Sequence, residues 1–229
     1  MIYQLIMQWR ATGQIDFTGL VGLLIAMVFG ITVHEFSHAL AATWLGDSLP
    51  RRQGRLTLQP AAHLDVVGSL MFLVGGFGWG KPVQYNPYAL RASPRTGPAI
   101  VAVAGPLANL ILATLIAIFI RLMPIVFGTS LRVLALSSSP ASTLFNLLVD
   151  IAYYILILGF FNLIPVFPLD GFTILQGLLP PELAERFEAT RQYGFFIMIL
   201  LLVADGSILG PILYEPVSTL LDLLIGIRV

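Results

Sequence analysis

The residues best suited to chemistry are Glu35 and the histidines His34 and His38, which together form a His-Glu-Phe-Ser-His segment. Histidines four residues apart lie on one face of a helix, one turn apart, so both imidazoles can reach a single metal ion. A glutamate next to the first histidine is placed to act on a water at that ion, which is typical of zinc sites that activate water. The seventeen residues from Phe17 to Val33 carry no charge, so the segment predicts metal chemistry inside a membrane.

A second interpretation of the same segment is a polar contact between helices, with Glu35 as the partner of the two histidines. Ionisable groups within a membrane span are costly and generally mark function. This cost favours the metal site.

The composition points to one class of protein. Hydrophobic residues make up 57% of the 229 residues, charged residues make up 10%, and the mean hydropathy is +0.89. These values exclude an ordinary soluble domain and a disordered chain. We predict an all-α polytopic membrane protein of about four to six transmembrane helices. It would form a single membrane-embedded domain, with residues 17–175 as the catalytic core and 176–229 as C-terminal helices.

Charge and cysteine content narrow the function. The formal net charge is zero, so no basic surface predicts nucleic-acid binding. Cysteine is absent, which excludes thiol catalysis and cysteine-ligated zinc. Any zinc ligands must therefore be histidine, aspartate or glutamate. Residues 1–10 lack the pattern of a cleaved signal peptide.

Three apolar stretches are predicted to span the membrane, at residues 17–45, 98–120 and 141–164. The tail, residues 195–227, holds two short apolar pieces that could form one broken span or a hairpin. Residues 176–192 are predicted to be a polar connection.

A small β or re-entrant element is predicted between the first two spans. Residues 55–59 alternate polar and apolar side chains, as a short strand does. The apolar stretch 66–79 is too short and too rich in glycine to be a span, so we expect it to turn back under cover of other protein segments.

Basic residues predict the orientation of the chain. Six of them lie between residues 47 and 97 and two between 181 and 192. If 66–79 does not cross, both segments lie on one side, which should be cytoplasmic. The histidine end of the first span would then face the cytoplasm.

A catalytic zinc ion needs three protein ligands and one open position. Asp170 is the best third ligand because Pro165 and Pro168 break the helix before it and Gly171 lets the chain turn beside it. A turn aspartate is the alternative interpretation. His63 could lie near the site or could be a polar loop residue. The other carboxylates considered are Asp65, Asp150, Asp205, Glu215 and Asp222.

The order of crossings supports Asp170. If 66–79 is not a full crossing, two spans, 98–120 and 141–164, lie between His38 and Asp170, and both residues then lie on the same side of the membrane. The metal-site hypothesis therefore depends on the glycine-rich stretch turning back.

Residues 34–39 (His-Glu-Phe-Ser-His-Ala) together with 162–171 (Asn-Leu-Ile-Pro-Val-Phe-Pro-Leu-Asp-Gly) resemble the site-2 protease family of intramembrane zinc metallopeptidases. Residues 104–109, 56–65 and 77–87 match the family too. The chain differs at Gln59, where relatives often have Asn, and at Val66, where they often have Pro. It lacks an inserted PDZ domain and so resembles the compact subgroup.

The resemblance implies roles for individual residues. His34, His38 and Asp170 would hold one zinc ion per chain, and Glu35 would be the general base. Asn162 would donate to the oxyanion of the substrate, whereas its other interpretation is a polar residue at a helix end. Asn109 is expected to pack helices rather than to take part in chemistry.

The resemblance also implies partners and a location. The substrate would be a transmembrane helix of another protein or peptide, surrounded by membrane lipid, and region 55–85 could supply an edge with which the unwound helix pairs. The cell membrane of a prokaryote is the expected location. The sequence leaves a homo-oligomer open.

Three other functions compete with this interpretation. A metal transporter could also carry His-Glu-x-x-His, but it would usually need a second polar span with more ligands. An intramembrane serine protease needs a histidine on a separate span, whereas both span histidines here share one helix. A catalytically inactive scaffold would not need Glu35 together with all three ligands.

Overall fold

In the computed structural model, residues 16–75, 78–203 and 208–228 are described. Helices of various lengths account for most of them: α1 (Phe17–Trp44), α2 (Leu49–Arg52), α3 (Val66–Gly75), α4 (Thr96–Phe127), α5 (Leu131–Leu136), α6 (Pro140–Asn162), α7 (Asp170–Leu178), α8 (Pro181–Glu188), α9 (Arg191–Val203) and α10 (Glu215–Ile225). Short 3₁₀ turns form at Pro60–Ala62 and Pro87–Ala89, and a π-helical turn at Gly210–Tyr214. The predicted all-α membrane class is confirmed.

Three of these helices, α1, α4 and α6, are long and apolar enough to cross a membrane. They have 28, 32 and 23 residues, which is more than the about 20 that a bilayer core requires. Helix α9 is apolar but has only 13 residues. The described part of the chain therefore holds three candidate spans, against the four to six predicted.

Helix α4 is longer than its predicted range of 98–120. It continues through Arg121 and Pro124 to end at Gly128, whose left-handed conformation (φ 60°) closes the helix. Arg121 is a good helix former and does not end the helix. Its guanidinium donates to the carbonyls of Leu223 (2.8 Å) and Ile225 (3.1 Å) at the end of α10.

Helices α1 and α6 run parallel. Gly22, early in α1, lies against Asp150 of α6. Gly30, further along α1, lies against Leu158, which is further along α6. A side chain at Gly22 would come within 2.8 Å of the Asp150 Cβ, so the glycine lets the two helices approach closely. The parallel direction brings the C-terminal ends of α1 and α6 together.

Helix α4 runs antiparallel to both and carries much of the core. Small side chains on α4, Ala113 and Ala117, are fully buried in a cluster with Phe145 and Ile155 of α6 and Leu221 of α10. The small alanines of α4 leave room for these larger side chains, and their close packing holds the helices together.

The strand predicted at 55–59 is wrong, since these residues form no strand. Among the described residues the sole bridge outside helices is the antiparallel pair Leu64–Gly80. Helix α3 lies between them, and a Cβ on Gly68 would come within 2.2 Å of the Trp79 carbonyl. The chain after α3 thus lies beside its start, and ten helical residues cover only about 15 Å, half a bilayer core.

The segment predicted as a polar connection, 176–192, is largely helical, since it includes the end of α7, all of α8 and the start of α9. In the tail, α10 packs against α4 and α6.

Candidate metal centre

Helix α1 places His34 and His38 one turn apart, with their ring centroids 4.6 Å apart and their planes at 87°. Both are buried, at 5% and 7% exposure. Asp170, the first residue of α7, lies beside both imidazoles although it is far from them in the sequence. Its Oδ2 lies 3.0 Å from Nε2 of His34 and 3.3 Å from Nε2 of His38.

The three side chains can hold a metal ion. One ligand atom from each lies within 4.8 Å of the other two, and this is the one such group in the part of the chain that the structure describes. The Asp170 Oδ2 is buried and makes no hydrogen bond, although two imidazole nitrogens are so near. A metal ion between the three donor atoms, at the common point of the site, would give this oxygen a partner. Two nitrogens and one oxygen with a position left open suit zinc.

The chain around Asp170 is shaped by Gly171. A Cβ on Gly171 would lie 2.2 Å from the carbonyl oxygen of Leu163, the residue that follows α6. Helix α7 can therefore start directly against the end of α6 only with glycine there. This close turn brings the carboxylate of Asp170 back towards α1.

Gly105 of α4 lies over the two histidines. A Cβ at this position would come within 2.5 Å of Nε2 of His38 and 2.6 Å of Nε2 of His34. Any side chain there would displace both donor nitrogens, so the Ala-Gly-Pro part of residues 104–109 provides the room for the site.

The outer nitrogen of His38 has a carbonyl partner. Its Nδ1 lies 2.7 Å from the backbone oxygen of Val101 in α4. A carbonyl only accepts hydrogen bonds, so Nδ1 carries a proton. Nε2 is left as the nitrogen that would bind a metal, and a proton on Nδ1 is what such a ligand requires.

Asn109 contacts the site, which the sequence did not predict. Its side chain is fully buried and its Nδ2 lies 3.3 Å from Nδ1 of His34. The expectation that Asn109 packs helices rather than takes part in chemistry stays a prediction. A polar residue in a span without charges was the available signal.

Glu35 faces a buried cation. Its Oε2 lies 3.6 Å from Nη2 of Arg55, whose guanidinium also donates to the carbonyls of Lys81 and Pro82. Burial lowers the pKa of Arg55 from its usual value, and the negative charge of Glu35 opposes that shift. Sequence reasoning missed Arg55, because nothing in its neighbourhood marked it as buried.

His63 is not among the three grouped side chains. It is completely buried, and its Nε2 lies 2.7 Å from the carbonyl of Thr57. Burial lowers the pKa of His63, which keeps it neutral. Its contacts hold the loop beside α1 together.

Asn162 is half-buried at the end of α6, and its Nδ2 donates to the carbonyl of Leu158, 2.8 Å away. One of its two N–H groups is thus used within its own helix. The second N–H is the group that could serve a substrate.

Residues 22–204 match the sequence profile of Peptidase family M50. The chain belongs to that family. Its relatives include a protein named as a zinc metalloprotease, YwhC of Bacillus subtilis, which is 36% identical over 203 residues, 88% of this chain and 90% of that protein. A protein named as the zinc metalloprotease Rip2 of Mycolicibacterium smegmatis is 29% identical over 212 residues, 86% and 74% of the two chains. No solved structure matches.

This M50 peptidase is therefore a metallopeptidase that uses zinc, and its apolar helices make it an integral membrane protein. The resemblance to the site-2 protease family is confirmed. The metal-transporter alternative is not favoured, because the family and the named relatives are proteases.

Proposed function

We propose that this protein is an intramembrane zinc metalloprotease that hydrolyses peptide bonds within or near transmembrane helices of other proteins. The zinc ligands would be His34, His38 and Asp170. The observation that carries the proposal is the convergence of their three donor atoms at the ends of two parallel apolar helices, directly beside Glu35.

Glu35 is the general base of this proposal. A zinc ion held by His34, His38 and Asp170 would activate a water by lowering the pKa of that water towards neutrality. Glu35 then accepts a proton from the attacking water and passes it to the leaving amine, which requires the carboxylate to be ionised at the start. Arg55 Nη2 lies 3.6 Å from Glu35 Oε2 and pairs with this carboxylate.

Asn162 would stabilise the substrate oxyanion through the N–H that Leu158 does not use. An Asn162→Asp variant keeps the size and removes the donors. We expect it to lower kcat with little change in KM, because an oxyanion contact forms only in the transition state.

The substrate helix has to unwind, because a helix satisfies its own carbonyls by internal hydrogen bonds. The extended residues after α3 are the edge with which an unwound segment would pair. Gly80 in that segment lies close to Glu35, since a Cβ there would be 3.4 Å from the Glu35 Cγ. Proline substitutions at Val83 and Gln84 of that segment should then reduce cleavage of a helical substrate. Unchanged cleavage would exclude the pairing.

The active site would face the cytoplasm in the cell membrane of a prokaryote. The support is the excess of basic residues in segments 47–97 and 181–192. This side gives water a short path to histidines near the end of α1. Accessibility labelling of single cysteines introduced at Arg52 and Arg132 tests it, because the chain has no cysteine of its own.

The decisive experiment compares wild type with Glu35→Gln. Both proteins are purified in detergent, their bound zinc is measured, and each is incubated with a reporter transmembrane substrate. Zinc retained by both with cleavage abolished in Glu35→Gln supports the proposal. Equal cleavage by both proteins would contradict it, and so would metal transport that survives in the variant.

A further inference from the structure

The side chain of Asn109 has one buried polar atom without a partner. Asn109 is fully buried in α4, its Nδ2 faces Nδ1 of His34 at 3.3 Å, and its Oδ1 makes no hydrogen bond. A buried amide oxygen without a donor costs about 1–3 kcal/mol. This cost would be removed if a hydrogen-bond donor faced Oδ1 when the metal ion is bound.

The ring of His34 provides such a donor if its proton is on Nδ1. If the Asn109 amide donates to Nδ1, the proton of a neutral His34 sits on Nε2. Yet Nε2 is the atom directed at the common point with Asp170, and a nitrogen that binds a metal carries no proton. With zinc bound, the His34 proton must therefore be on Nδ1, and that N–H needs an acceptor.

The Oδ1 of Asn109 is the acceptor within reach. A half-turn of the amide about its Cβ–Cγ bond exchanges Oδ1 and Nδ2 without changing the shape of the side chain. Gly159 of α6 lies opposite, and even a Cβ built there would remain 3.9 Å from Nδ2. The amide therefore has room to turn.

We propose that Asn109 is a positioning residue for the metal ligand His34, whose Nδ1–H it accepts through Oδ1 when zinc is bound. The inference rests on the proposed zinc site. Helix α4 would then orient both imidazoles by the same chemistry, since the carbonyl of Val101 already accepts from Nδ1 of His38. Partners of this kind orient a ligating imidazole and make it more basic, and their loss weakens metal binding about 10–100-fold.

The test measures the zinc affinity of the purified full-length chain by competition with a chelator. Asn109→Leu removes the acceptor, and we expect about 10–100-fold weaker zinc binding. Asn109→Asp keeps an acceptor and should retain the wild-type affinity within a few-fold. Thr32→Val is the matched control, because Thr32 is another buried polar residue, on α1, whose hydroxyl bonds only Val28 of its own helix. It should bind zinc as wild type does.

Two outcomes would overturn the inference: an Asn109→Leu affinity equal to that of Thr32→Val, or an Asn109→Asp affinity as weak as that of Asn109→Leu. His34→Ala separates this failure from failure of the proposed function. If His34→Ala also leaves zinc binding unchanged, the metal site itself is wrong. If His34→Ala loses zinc and Asn109→Leu does not, only the role of Asn109 is wrong.

A wild-type measurement decides the question even if Asn109→Leu does not fold. The chain has only three histidines, so nitrogen-15 NMR of histidine-labelled, zinc-loaded protein gives few imidazole signals. We expect the proton of His34 on Nδ1, with a resonance that moves in Asn109→Asp. A His34 proton on Nε2 would overturn the inference.

Discussion

Arg55 Nη2 lies 3.6 Å from Glu35 Oε2, and the same guanidinium donates to the carbonyls of Lys81 and Pro82. Arg55 is 4% exposed, so this cation is buried between the proposed base and the extended segment after α3. A buried charge is tolerated where it is paired and hydrogen-bonded. Arg55 therefore connects the position of Glu35 to the position of the segment beside which a substrate would lie.

Replacing Arg55 by Met should lower kcat for a reporter substrate at least about tenfold, because Glu35 would lose the cation that positions it. A positioned general base contributes about 10²–10⁴-fold to the rate, and the variant would lose a part of this contribution. The bound zinc should stay the same, because Arg55 does not touch the three grouped donor atoms. Arg55→Lys should recover part of the loss, since it keeps the charge but not the fork of donors.

Arg52→Met is the matched control for Arg55→Met, because Arg52 is an exposed arginine three residues away. It should cleave as wild type does. If Arg55→Met and Arg52→Met cleave equally well, the contact with Glu35 has no part in the reaction.

Gly105→Ala should abolish high-affinity zinc binding. The added Cβ would lie 2.5 Å from Nε2 of His38 and 2.6 Å from Nε2 of His34, so the donor nitrogens could not keep their places. Zinc content after dialysis against a chelator measures the effect. Gly210→Ala is the control, since a Cβ at Gly210 meets nothing within 4 Å. Full zinc occupancy in Gly105→Ala would show that the donors converge elsewhere.

The long helix α1 and the proximity of His38 and Asp170 were predictable from the sequence, because helix periodicity and the number of crossings suffice for both. Helix periodicity places two histidines on one face, and counting crossings places Asp170 on their side. These arguments need no knowledge of how side chains pack. The structure brings the predicted side chains together within 4.8 Å.

Contacts between residues far apart in the chain account for the features that were not predicted from the sequence. Alternation at 55–59 predicted a strand, but Arg55 points its guanidinium at Glu35 and at distant carbonyls, and no strand forms. The contact between Asn109 and His34 joins residues 75 positions apart in the chain. The partners of Arg121 likewise lie on α10, about 100 residues later in the chain.

Arg121→Met should lower the free energy of unfolding by about 1 kcal/mol, the value of a cation at a helix C-terminus. The guanidinium donates to the carbonyls of Leu223 and Ile225, which α10 leaves without internal partners. Denaturant unfolding in detergent micelles measures the change. Arg132→Met, at an exposed arginine in the following helix α5, should have no effect. Zinc binding should be unchanged in both variants.

His63 should make the protein less stable on the acid side of neutrality. Burial lowers the pKa of His63 in the folded state below 6.5, although its hydrogen bond to the Thr57 carbonyl opposes the shift. As the pH falls through 6.5, the unfolded chain takes up a proton that the folded chain does not, so the unfolded state is favoured. Above that pH both states are neutral at this residue and the effect vanishes.

His63→Gln removes the titrating group and retains an N–H for the Thr57 carbonyl. The unfolding free energy of His63→Gln should therefore fall less between pH 7.5 and pH 5.5 than that of wild type. The other titrating groups are the same in both proteins, so their contribution cancels in the comparison. Denaturant midpoints at the two pH values measure the difference, with zinc removed from both proteins by a chelator so that loss of metal does not enter. An identical pH dependence in the two proteins would mean that His63 is protonated equally in the folded and unfolded chains, and burial would then not control its charge.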